Sequence, residues 1–95
     1  MLQPAYNLKL VTGATEVLIS ASNARLLAII PQGTASGTVT VREASAIGTG
    51  ATARWTAPAG GTSFGGNYGV KFMGGLTVQL SSGADTFGIV WGPML

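Results

Sequence analysis

Residues 69–95 read GVKFMGGLTVQLSSGADTFGIVWGPML, and the alternation in this stretch decides the fold. Leu76, Val78 and Leu80 alternate with Thr77, Gln79 and Ser81, the period of two that belongs to a strand with one buried face. Val70-Lys71-Phe72 precedes that strand across Gly74-Gly75, a dipeptide suited to a hairpin turn. Ser82-Gly83-Ala84-Asp85 then turns the chain into Thr86–Gly92. There Phe87, Ile89 and Trp91 share one face and Val90 lies on the other, between Gly88 and Gly92. Three consecutive strands are expected, the last with apolar groups on both faces.

Upstream, Thr38–Glu43 repeats the pattern, with Val39 and Val41 pointing one way and Thr38, Thr40 and Arg42 the other. Arg25–Ile30 (RLLAII) does not alternate: strand geometry puts Leu26, Ala28 and Ile30 on one face and Leu27 and Ile29 on the other. Its shortness and the closing Pro31 favour a strand over a helix. Glu16–Ser20 and Tyr6–Val11 read as further strands, the latter with Tyr6, Leu8 and Leu10 on one face. Ala51–Ala57 is expected to turn Ala51, Ala53 and Trp55 inward, and Ile47 to tuck under the 44–50 connection. Pro58–Tyr68 carries four glycines and is the longest irregular stretch. Together these elements predict an all-β chain. It is a single small antiparallel domain over residues 6–95, a β-sandwich, jelly-roll-like fold or barrel of about eight strands, preceded by an N-terminal arm at residues 1–5.

A 95-residue chain buries only about two-thirds of its unfolded surface, so it gains from a staple. Cysteine and histidine are absent, which removes disulfides and the two commonest transition-metal ligands and leaves oligomerisation. The net charge of +2 comes from eight scattered groups, without the clustered cations that phosphate backbones require. No apolar run reaches the roughly 20 residues of a membrane-spanning helix, and residues 1–17 lack the pattern of a secretory signal. Neither nucleic acid nor membrane is an expected partner.

General acid–base chemistry needs a group poised near neutrality or two carboxylates pushed apart in pKa. Glu16, Glu43 and Asp85 are the only carboxylate side chains, and the last two fall beside turns, where solvated carboxylates are ordinary. Without histidine, a nucleophilic Ser or Thr would need Lys9 or Lys71 as base, and neither sits in a Ser-x-x-Lys arrangement. The 60–66 glycines lack the lysine and following helix of a phosphate cradle. The expectation is no enzyme, no catalytic residue, no cofactor and no metal. Binding rests on Phe64 and Tyr68, the large side chains of the 58–68 loop, which form a candidate ligand loop for a glycan or receptor. The two-sided strands suggest assembly: Leu27, Ile29 and Val90, with the apolar tail residues Met94 and Leu95, are the candidate interface, and Phe87, Ile89 and Trp91 the core.

The succession Leu27–Ile30, Thr34–Glu43 (TASGTVTVRE), Gly69–Phe72 with Gly75–Leu80, and Asp85–Trp91 resembles a group of small virion structural proteins of tailed bacteriophages. The resemblance spans residues 25–92 and rests on hydrophobic and turn pattern; the Gly-rich 60–66 segment departs from it. It implies a compact β-fold assembling as a homo-oligomer, a trimer being favoured, on the virion. The chain would be made in the host cytoplasm and act as a capsid decoration or cement protein stabilising the head against the major capsid protein or another virion protein. A head or tail accessory, at a collar or fibre base, and a small glycan- or receptor-binding β-module are the alternatives.

Overall fold

The computed structural model describes residues 7–48, 53–58, 60–63 and 69–93. Its elements are β1 (Asn7–Thr12), β2 (Val17–Ser20), β3 (Ala24–Pro31), β4 (Val39–Arg42), β5 (Ala53–Ala57), β6 (Thr62–Ser63), β7 (Val70–Phe72), β8 (Leu76–Leu80) and β9 (Thr86–Pro93). No helix occurs among the described residues. One sheet runs β1-β9-β3-β6, with β7 also paired to β3; the other runs β2-β8-β4-β5, and every pairing is antiparallel.

β6 and β7 are two pieces of one edge strand. Thr62 and Ser63 pair with Ile29 and Ala28, while Val70, Lys71 and Phe72 pair with Leu26, Arg25 and Ala24. Counted so, the described residues form a sandwich of eight strands with the connectivity of a jelly roll, since successive strands alternate between sheets except across the β4–β5 hairpin. Gly74-Gly75 is accordingly not a hairpin: it carries the chain from β7 in one sheet to β8 in the other. Gly75 adopts φ +141°, and a Cβ there would run into the Ala44 carbonyl. Only glycine lets the two connections pack together at that end.

The core lies between the sheets. Val39, Val41, Leu76, Val78 and Leu80 come from one, and Val11, Leu26, Ile29, Phe72, Phe87 and Ile89 from the other, all essentially inaccessible to solvent. Phe87 and Ile89 are in the core as their alternation predicts, and Trp91 packs half-buried against it.

Three β-bulges reset the alternation. In β3 the register against β9 shifts between Leu26 and Ala28, so that Leu27 is an extra residue. Residues on either side of a bulge exchange faces. Ile29 therefore points into the core, at 1 % exposure, and Ile30 outward at 45 %. The expected grouping of Ile29 with Leu27 on an interface face is corrected by this shift. The β4–β5 register slips at Arg54, between the pairs Val41↔Trp55 and Arg42↔Ala53, and Ala53 is exposed rather than inward. The β2–β8 register slips at Ile19, which is buried while Leu18 is exposed. Ile47 is likewise exposed rather than tucked under its connection.

Candidate functional site

The outer face of the β1-β9-β3 sheet is where the surplus apolar surface collects. Leu8 pairs with Val90, which pairs in turn with Ala28; Leu10 pairs with Gly88, which pairs with Ile30. Facing residues of adjacent strands lie on the same side of a sheet, so these six positions form one continuous strip. None of them carries a charge. Leu8, Leu10 and Ile30 are exposed to 63 %, 56 % and 45 %, whereas Val90 and Ala28 are half-buried beneath them. Gly88 shapes the strip: a Cβ there would lie 3.0 Å from Leu8 Cδ1 and 3.2 Å from Gln32 Nε2, so its absence lets Leu8 lie across β9. The outer face of the other sheet carries mostly polar side chains, with Leu18 the large apolar exception among the described residues. Arg42 Nη1 donates to Gln79 Oε1 at 3.0 Å, and Gln79 Nε2 donates to the Ala14 carbonyl at 3.2 Å. Among the described residues the two outer faces thus differ, one mainly apolar and the other mainly polar.

A second feature lies at the flank where β5 and β7 edge the two sheets. A cavity of about 200 Å³ opens there, floored by Leu26 and Phe72 and walled by Trp55 and Val70, with Arg54 at its mouth. The bulge in β5 lifts Arg54 to this position. Its guanidinium lies 4.6 Å over the Phe72 ring, and Nη1 donates to Glu43 Oε2 at 2.9 Å and to the Lys71 carbonyl at 2.6 Å. Glu43 is held in turn by the Met73 N–H at 2.6 Å.

Each carboxylate has a structural task. Asp85, expected to be solvated, is buried at 4 % exposure. It accepts the Ser36 N–H on both oxygens (3.1 and 3.2 Å) and the Gly37 N–H at 2.7 Å, which ties the β3–β4 connection to the β8–β9 turn. Glu16 accepts the Thr77 hydroxyl at 2.7 Å and the Gly48 N–H at 3.1 Å. These bonds hold its carboxyl below the usual range, the Thr77 hydroxyl contributing most. No group of three or more His, Cys, Asp or Glu side chains that could hold a metal occurs among the described residues.

The structure brings together two of the residues expected at the interface: Val90 lies in the strip, and Leu27, half-buried, adjoins it at the bulge. Ile29 is in the core. Met94, Leu95, Phe64 and Tyr68 lie outside the described residues. Leu8, Leu10 and Ile30 were not singled out by the sequence, although Leu8 and Leu10 alternate; which face of β1 turns outward is decided by the burial of Val11. No protein-family model, curated protein or solved structure matches this chain.

Proposed function

We propose that this protein is a structural component that works by assembling with copies of itself, as a decoration or cement protein on a tailed-phage virion. The observation that carries the self-assembly is the uncharged strip of Leu8, Leu10, Ile30 and Val90 on the outside of a sheet that a two-layer sandwich leaves uncovered. A strip rimmed by polar residues and free of charge suits a neighbouring copy better than water. A non-enzymatic role is supported by the carboxylates, each of which is engaged by an arginine, a hydroxyl or backbone N–H groups. The virion assignment rests on the pattern from Leu27 to Trp91 that resembles phage virion proteins. Multi-angle light scattering at micromolar concentration should give a mass several times the 9.5 kDa of the chain. A single-chain mass refutes the assembly. Co-sedimentation with purified phage heads, and earlier release of DNA on heating heads that lack the protein, tests the virion role.

A further inference from the structure

β7 is an edge strand: Val70, Lys71 and Phe72 pair with β3 on one side, and no strand pairs with their other side among the described residues. Such an edge is a ready template for a strand of another chain. The Lys71 carbonyl faces the open side, where Arg54 Nη1 of β5 donates to it at 2.6 Å. Along a strand, alternate residues turn their backbone groups to the same side. The Met73 N–H, two residues on, accordingly faces the same way and donates to Glu43 Oε2 at 2.6 Å. Nη1 and Oε2 are themselves joined at 2.9 Å. A donor on one carbonyl and an acceptor on the N–H two residues later is what a residue of a parallel neighbouring strand supplies with its own N–H and C=O.

We infer that the Glu43–Arg54 pair is an autoinhibitory cap, which takes the place of a neighbouring strand on β7 and keeps other chains from pairing there. Its exposure argues against a role in folding stability, since an ion pair whose side chains are 42 % and 37 % exposed contributes little. What it adds is the pair of bonds to the β7 edge. The fold positions Arg54 for this. The β4–β5 register slips between Val41↔Trp55 and Arg42↔Ala53, so Arg54 is an extra residue on β5, and its guanidinium rests 4.6 Å over the Phe72 ring. Lys71, exposed on the same short edge, adds the kind of charge that guards strand edges elsewhere. The cap is independent of the self-assembly proposed above: wherever copies meet, β7 is closed to them.

The test compares four variants of the full chain with wild type at one chain concentration, each scored once its far-UV circular dichroism matches wild type. Glu43→Met and Arg54→Met keep side-chain length and remove the acceptor or the donors. The double swap Glu43→Arg with Arg54→Glu keeps an ion pair but sets donors against the Met73 N–H and an acceptor against the Lys71 carbonyl. Ile29→Val, a core truncation that loses at least as much stability as an exposed pair, controls for destabilisation. In dilute solution the Met73 amide of Glu43→Met should exchange with deuterium about tenfold faster than in wild type, or more, the factor for losing a hydrogen bond to a charged acceptor. During concentrated incubation, both Met variants and the swap should grow in light scattering beyond the wild-type mass and gain the infrared signature of intermolecular strands. Wild type and Ile29→Val should keep a constant mass. Met variants that stay at the wild-type mass, equal growth by Ile29→Val, or a swap protein that does not grow would each overturn the cap. Wild type is the reference throughout, so a wild type of single-chain mass refutes the self-assembly and leaves this comparison intact.

Discussion

Replacing Asp85 by alanine should destabilise the domain more than any other single change at its surface turns. The carboxylate, 4 % exposed, receives two backbone donors that belong to a different connection: Ser36, shared between both oxygens at 3.1 and 3.2 Å, and Gly37 at 2.7 Å. Hydrogen bonds to a charged acceptor contribute about 1.5–3 kcal/mol each, and donors left without a partner add to the loss when water cannot reach them. Ser36 is exposed and Gly37 half-buried, so water recovers part of this, and we expect a net loss of about 3 kcal/mol. For a domain of this size that is a fall of roughly 12–24 °C in melting temperature, at about 4–8 °C per kcal/mol. Asp85→Asn keeps one carbonyl acceptor but sets its amide donor against an N–H, so its loss should lie between wild type and alanine. The assay is urea and thermal denaturation followed by tryptophan fluorescence, with every variant at the same chain concentration, since any self-association would raise apparent stability. An Asp85→Ala protein within about 0.5 kcal/mol of wild type, the range of an ordinary surface change, would refute the argument. So would an Asn variant less stable than the Ala one.

Gly37→Ala should weaken the same junction from the other side. Its Cβ would stand 3.0 Å from Ser82 Cβ and 3.1 Å from Asp85 Oδ2 and collide with the Ser81 hydroxyl; a loss of about 1–3 kcal/mol is expected by denaturation, as for other overpacked sites. Ile29→Ala should cost about 2–5 kcal/mol as a core truncation, whereas Leu10→Ala should leave the folding free energy of the separated chain within about 0.5 kcal/mol of wild type. Equal effects would contradict the bulge at Leu27. Glu16, whose carboxyl is held below its ordinary value when folded, contributes stability that is present above the unfolded pKa and lost as pH falls through the folded one. The stability deficit of Glu16→Gln, measured by denaturation, should therefore be present at neutral pH and disappear in strong acid; a deficit that persists there would show that the carboxylate charge is not its source.

The sequence made most of the regular ladder legible and the reason for its exceptions invisible. Where strands keep strict register, as in β4, β8 and the inward face of β9, alternation places Val39, Val41, Leu76, Val78, Leu80, Phe87 and Ile89 correctly. At Ile19, Leu27 and Arg54 one extra residue reverses the faces, and no local propensity marks these bulges because each is set by the partner strand. RLLAII illustrates this best: its lack of alternation was visible, but whether Leu27 marked a second covered face or a bulge depended on β9. The function of Gly74-Gly75 failed to read through for a related cause, since a glycine pair that crosses between sheets has the same composition as one that folds a hairpin. Asp85 looked like any turn carboxylate because its donors are 48 and 49 residues away in the chain. The apolar strip was legible only in part, through the two-sided β9 and Val90, while the flank cavity was not, being made from three strands.

The place of β9 has a consequence for biosynthesis. β1 and β3 do not touch each other as strand neighbours; β9 lies between them and pairs with both, joining Asn7 to Trp91 and Ala24 to Pro93. A chain emerging from the ribosome N-terminus first therefore holds two strands of this sheet with a vacant slot between them until residue 93 has been made. Such distant pairings are slow to form, on the order of milliseconds to seconds. During that interval Phe87 and Ile89 have not yet closed the core, and Val11, Leu26 and Ile29, buried in the folded chain, stay open to water. Closure of this sheet is thus gated by the synthesis of β9, residues 86–93, rather than proceeding gradually along the chain.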